Sequence, residues 1–305
     1  MKKEPLRFSI VSTLAYYDVF SYPLTRVEIH AKLPLRAENE EVAKSVDELV
    51  NDGRVYRFDE FFTLRNDFGL IEKRQTANAR AREQMDLARQ KAAFISKFPF
   101  IRGIFISGSL SKNYADDKSD LDFFIVTAPN RLWLARTIFV FTRKLLVAKK
   151  NYRNYCLNYF ISSDNLTIDE RNVFTATELT TLIPVYGHTY YFQLLESNRW
   201  LHDLLPNFKI NQTDFSSASP MKRTALLEFF LGVFGARTER FLMRLTLFKL
   251  SRQHKSKFSK EDFAIAFKAR ADVSKVHIGH NQKKILDLYE NRLKELQPLF
   301  ETVPV

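Results

Sequence analysis

Residues 104–127 read IFISGSLSKNYADDKSDLDFFIVT, and the rest of the chain is best understood outward from them. Ile104, Phe105 and Ile106 form a short apolar run that delivers Gly108 and Ser109 into a turn. A polar loop follows, and Asp120 and Asp122 then open a second apolar run that ends at Val126. The pattern predicts a strand over 101–107, a short helix near 109–114 and a strand over 121–127. Side chains alternate along a strand, so acids at i and i+2 share a face. Two carboxylates so placed suit a hard divalent cation, which takes oxygen ligands and completes its shell with water or phosphate.

Gly108-Ser109, ten residues, then Asp120-Leu121-Asp122 resembles the signature of the polymerase-beta-type nucleotidyltransferase superfamily. The local motif covers these 24 residues, and the wider likeness extends over about 98–190. The resemblance implies that Gly108 and Ser109 hold nucleotide phosphates at a helix start, with Asp120 and Asp122 as the catalytic pair that binds Mg²⁺ (or Mn²⁺). A helix opening after Gly108 would aim backbone N–H groups at an anion, and Lys112 would add a charge to the same phosphates. The resemblance also implies a third acid on the next strand. Asn158 stands there instead, able to offer a carbonyl oxygen to a metal but unable to act as a base. Asp164 and Asp169 fall beyond the expected strand end.

The expected architecture is α+β: a small mixed nucleotidyltransferase-like sheet with helices, over 99–194. It is flanked by an N-terminal winged-helix-like domain, 1–66, a connecting helix, 67–98, and a helical C-terminal domain, 195–305. In the N-terminal part, Thr25 caps a second helix, residues 38–52 form a third, Gly53 ends it, and a hairpin turns around Asp59-Glu60. That third helix resists a DNA-binding reading. It carries Glu38, Glu40, Glu41, Asp47, Glu48 and Asp52 against Lys44 alone, and phosphate neutralisation by Lys and Arg dominates DNA affinity. A protein-contact or packing role is expected.

Residues 68–97 make a long polar helix, expected as a solvated spacer. After the second core strand come a basic helix, about 130–148, and a strand at 155–162, completing a βαβαβ order. The basic helix fits core packing better than a membrane surface. Thr175 with Glu178 three residues later matches a capping box, which assigns Glu178 a structural role. Residues 184–188, Pro-Val-Tyr-Gly-His, are expected as a turn, with His188 an ordinary surface or packing residue. Beyond 195 only helices are expected, with Leu226, Phe229, Phe230, Val233, Phe234, Phe241, Leu242 and Leu245 forming a buried stripe.

Composition sets outer limits. The chain has 305 residues, 28 of them Phe, with 8 Gly and 10 Pro, which describes compact, mainly helical protein. Cys156 is the single cysteine, so an intramolecular disulfide and a Cys-cluster zinc site are excluded. With no signal-like start and no apolar run of spanning length, a cytoplasmic location without a transmembrane segment is expected. The net charge of +12 favours polyanionic partners, and residues 221–305 carry 17 basic against 9 acidic residues. His277-Ile278-Gly279-His280 spells a tetrapeptide of class I aminoacyl-tRNA synthetases. It lacks the preceding strand and the KMSKS-like partner that give it meaning, and is read as a chance match. Lys275, His277, His280 and Lys284 would line the phosphate side of a cleft if the C-terminal helices close over the core. The function expected is transfer of a nucleoside monophosphate from an NTP such as ATP to a hydroxyl acceptor (a small molecule, RNA or protein). The rival expectation is a nucleotide-binding regulator with weak catalysis.

Overall fold

The computed structural model describes residues 3–117, 119–147, 155–210, 225–232, 235–254, 268–275 and 281–301, and shows an α+β protein with two small sheets. The larger sheet has five strands: β4 (Ile101–Ser107), β5 (Leu121–Thr127), β6 (Tyr155–Ser162), β7 (Ile183–Tyr186) and β8 (Val273–Lys275). Their order is β7-β4-β5-β6-β8, with β5 and β6 parallel and the other pairs antiparallel. Near-continuous apolar runs suit the central strands β4 and β5, because helices cover both of their faces.

Ile104, Ile106, Phe123 and Ile125 point to one face of the sheet and pack beneath helices α4 (Gly69–Ile95) and α5 (Leu132–Val147). Phe105, Phe124 and Val126 point to the other, under α6 (Val173–Thr180), α7 (His188–Ser197) and α8 (Leu201–Leu204). On that second face Phe124 stacks between Phe105 and Tyr159, with ring centroids 5.9 and 4.6 Å away. Asp122, two residues before Phe124, therefore faces the α6 side.

The N-terminal region contains α1 (Lys3–Asp18), β1 (Leu24–Thr25), α2 (Arg26–Ala31), α3 (Asn39–Asn51), β2 (Tyr56–Phe58) and β3 (Phe61–Thr63), the strands forming an antiparallel sheet in the order β1-β3-β2. Thr25 caps α2 in a complete capping box with Glu28, and Gly53, at φ +69°, follows the α3 terminus. The acids of α3 are partly used in ion pairs: Arg26 meets Asp47 at 2.5 Å, and Arg7 pairs with Asp52 and lies 3.8 Å from Glu48.

Four expectations need correction. α4 is no solvated spacer: Ala77, Ala81, Ala88, Ala92 and Ile95 are buried along it, because small side chains let a polar helix lie close to a sheet. Residues 183–186 form an edge strand, not a turn, and Pro184 is tolerated because an edge strand needs fewer backbone donors. The C-terminal part is not purely helical. β8 extends the core sheet beside β6, and α11 (Asn281–Leu296) packs back on α1 through Tyr16 and Tyr289, with ring centroids 5.3 Å apart. Finally, in α9 (Ala225–Gly232) and α10 (Ala236–His254) the side chains of Phe229, Phe230, Phe241 and Leu245 are exposed, whereas Leu231, Leu242 and Met243 face the core. The side chains of Leu226, Val233 and Phe234 lie outside the described residues.

Candidate functional site

β4 ends at Ser107, which pairs directly with Asp122 across the antiparallel ladder. Gly108 then turns the chain at φ +66°, a conformation that favours glycine. There is a second reason for glycine here. A β-carbon at position 108 would lie 2.2 Å from Asp122 Oδ2, so the missing side chain is what gives the carboxylate its place.

The helix expected over 109–114 is a single 3₁₀ turn, Leu110–Lys112, stopped by Asn113 in the left-handed region. One turn carries little macrodipole with which to attract an anion. The turn is instead pinned by contacts. Leu110 is buried, Ser111 Oγ and Lys112 Nζ each donate to Gly108 O at 2.9 Å, and Tyr22 donates its hydroxyl to Lys112 O at 2.8 Å. The loop beyond hangs on α4, where Ala115 N–H donates to Ala77 O at 3.2 Å.

Gly108, Ser109, Lys112, Asp120 and Asp122 all line one cavity of about 590 Å³. Its walls come from every part of the chain: Tyr16, Tyr17 and Tyr22 from the N-terminal region, Tyr159 from the sheet, Lys275 and Gln282 from the C-terminal part. Asp120 is exposed and Asp122 half-buried. The Asp122 pKa is pushed up to about 6 by burial first, then by the nearby charges of Glu178 and Asp120, with Lys112 opposing.

Glu178 does not have the capping role that its spacing from Thr175 suggests. α6 begins at Val173, and Asn172 caps it by accepting the Thr175 N–H at 2.9 Å. Glu178 therefore closes no capping box. Its carboxylate lines the cavity and meets Lys112 Nζ at 2.9 Å. The signal was present in Asn172, a strong capping residue whose choice shifts the helix start and leaves Glu178 unassigned.

A second polar group lies elsewhere in the cavity wall. Glu170 sits 3.3 Å from Lys268 and 3.7 Å from Lys275, and Lys275 donates to Gln282 Oε1 at 3.0 Å. Burial pushes the Lys275 ammonium below its ordinary pKa, with Glu170 opposing. Of the four residues expected on a phosphate side, Lys275 lines the cavity, Lys284 is not among its lining residues, and His277 and His280 lie outside the described residues, as does the whole tetrapeptide at 277–280.

Asp164 and Asp169 do not complete the site. Asp164 accepts from Ser162 Oγ, Asp169 pairs with Lys268 and Arg270 at 2.7 Å each, and neither lines the cavity. His188 begins α7 and is likewise not among the lining residues. The backbone of Asn158 falls where the β5–β6 register shifts, between Leu157 opposite Phe123 and Tyr159 opposite Phe124, and its side chain lies outside the described residues. Among the described residues, no three His, Cys, Asp or Glu side chains are grouped so as to hold a metal ion. No family model, curated protein or solved structure matches this chain.

Proposed function

We propose that this protein is a nucleotidyltransferase of the polymerase-beta type, moving a nucleoside monophosphate from an NTP to a hydroxyl acceptor. The observation that carries the reading is convergence: the glycine-serine turn and both aspartates, separated by the loop 110–119, line one cavity large enough for a nucleotide. Asp120 and Asp122 would hold a divalent cation, Mg²⁺ or Mn²⁺, which when bound neutralises triphosphate charge. Burial first, and then the nearby negative charges of Glu178 and Asp120, lift Asp122, and that crowding of acids fits a place built for a cation. Gly108 and Ser109 would seat the phosphates. Lys112, held by Glu178 in this structure, would exchange that partner for a phosphate oxygen.

Glu178 then supplies what Asn158 cannot. Freed from Lys112, it would accept the acceptor's hydroxyl proton as that oxygen bonds to the α-phosphorus, while the bond to the bridging oxygen breaks and pyrophosphate leaves. In this reading residues 1–66 form a winged-helix-like partner module and 99–194 the catalytic part. The ion-paired acids of α3 favour a protein partner over DNA.

Isothermal titration with Mg²⁺ and each NTP tests the assignment. Binding abolished in Asp120→Ala/Asp122→Ala supports it, and absent or unchanged binding removes it. Glu178→Gln should keep NTP affinity and lose pyrophosphate release. A second reading, a regulator that binds nucleotide without turnover, is favoured by the lack of a three-residue metal cluster among the described residues. Tight NTP binding with no pyrophosphate release from any hydroxyl acceptor would decide for it.

A further inference from the structure

α10 presents two unlike faces. Inward, Leu242 and Met243 meet the core, and Glu239 accepts the backbone N–H groups of Trp133 and Leu134 at 2.8 and 3.0 Å, capping α5. Outward, Phe241, Leu245 and Phe248 are 63%, 53% and 66% exposed. At helical spacing these three fall within an arc of roughly 60°. Arg237, Arg244 and Arg252 are also exposed and lie within or beside that arc, Arg240 is exposed further round the helix, and the only acid of the helix, Glu239, points the opposite way. On the preceding helix Phe229 and Phe230 are exposed as well, at 74% and 63%, with ring centroids 5.9 Å apart.

We propose that this outer face of α10, with the two phenylalanines of α9, docks on an anionic lipid surface. An apolar stripe bordered by arginines is the composition of a helix lying in the membrane interface, where the stripe enters the acyl boundary and the guanidinium groups meet anionic headgroups. Charge selects this occupant over a second copy of the chain. Two such faces brought together would set arginines against arginines, with Glu239, the acid of each α10, turned inward. The contact is peripheral: among the described residues no helix is long and apolar enough to cross a membrane.

Co-sedimentation of the full chain with vesicles tests the proposal. Retention is expected on phosphatidylcholine vesicles containing phosphatidylserine, not on phosphatidylcholine alone, and it should weaken at high salt. Arg237→Glu/Arg244→Glu and Phe241→Ser/Phe248→Ser should each lower partitioning at least about tenfold. Phe192→Ser, an exposed phenylalanine on α7, should leave it unchanged. The proposal is overturned by no retention on the anionic vesicles, by equal retention on neutral ones, or by double variants that bind like the parent. It is equally overturned if Phe241→Ser/Phe248→Ser dissociates a dimer, or if the same variants lose RNA binding in a protein that ignores vesicles.

Discussion

Helices α4 and α10 are both long and arginine-rich, and both pack on the core, α4 against the sheet and α10 against α5, yet they dispose their apolar residues differently. α4 hides a row of alanines between Leu70, Ile71 and Ile95 at its ends, with one arginine, Arg74, which is 4% exposed. α10 turns two phenylalanines and a leucine outward. Apolar content therefore does not rank these helices by burial. Close approach does: alanine lets the α4 backbone lie near the sheet, while Arg74, toward its start, is enclosed by the N-terminal region. Its guanidinium donates to both Glu28 carboxylate oxygens at 2.8 Å and to Pro23 O, between the rings of Tyr22 and Phe61.

Removing that charge should have the largest effect on stability. Arg74→Ala takes the guanidinium from a Glu28 carboxylate that keeps only its Thr25 donors, and leaves a buried carbonyl without its donor, for an expected loss of about 3 kcal/mol, the low end for a broken buried pair. Urea denaturation should show it, and a loss below about 1 kcal/mol would mean that water reaches Glu28 freely. Overpacking the alanine row comes next. Ala88→Leu forces side chain into a filled space at a position with no exposure, for an expected loss of about 1–3 kcal/mol by the same measurement. A neutral result would return α4 to the role of a solvated spacer.

What was legible in the sequence follows from the same physics. The strands on either side of Gly108 and the placement of Asp120 and Asp122 were readable, because apolar runs bounded by a turn leave few alternatives. The Thr25–Glu28 capping box was readable because both partners are local. β7 and β8 were not, since a strand of three or four residues has no period of its own and exists only because a longer strand offers an edge. Glu178 was lost to a plausible local explanation, a cap that Asn172 in fact supplies. The orientation of α10 was hidden because a stripe of Phe and Leu looks the same whether it faces a core or not.

Asp122 supplies the counterpart to Arg74, a half-buried carboxyl whose pKa is raised first by burial and then by the charges of Glu178 and Asp120, with Lys112 opposing. Its carboxyl ionises near 3.8 in an ordinary setting and near 6 in the fold. Below the first value it is neutral in both states and costs nothing. Between them the folded protein holds a proton the unfolded chain has released, so stability falls as pH rises, and above the second the penalty is complete. Asp122→Asn, in metal-free buffer, should therefore match the parent near pH 4 and exceed it by about 1 kcal/mol at pH 7, after allowance for its solvent contact. Parallel denaturation curves at the two pH values check this. A gain that is largest at low pH would reverse the assignment.

The smallest effect sharpens the comparison most. If the outer face of α10 meets only solvent in the free protein, Phe248→Ser should change stability by less than about 0.5 kcal/mol, as surface substitutions do, despite deleting an aromatic ring. A ring buried in the way that Phe105 or Phe123 is buried would instead cost about 3–5 kcal/mol on truncation. Differential denaturation of this one variant thus separates a phenylalanine kept for packing from one kept for contact with something outside the chain. A loss above about 2 kcal/mol would show that the stripe is covered in solution, and α10 would then bury its apolar residues as its sequence first suggests.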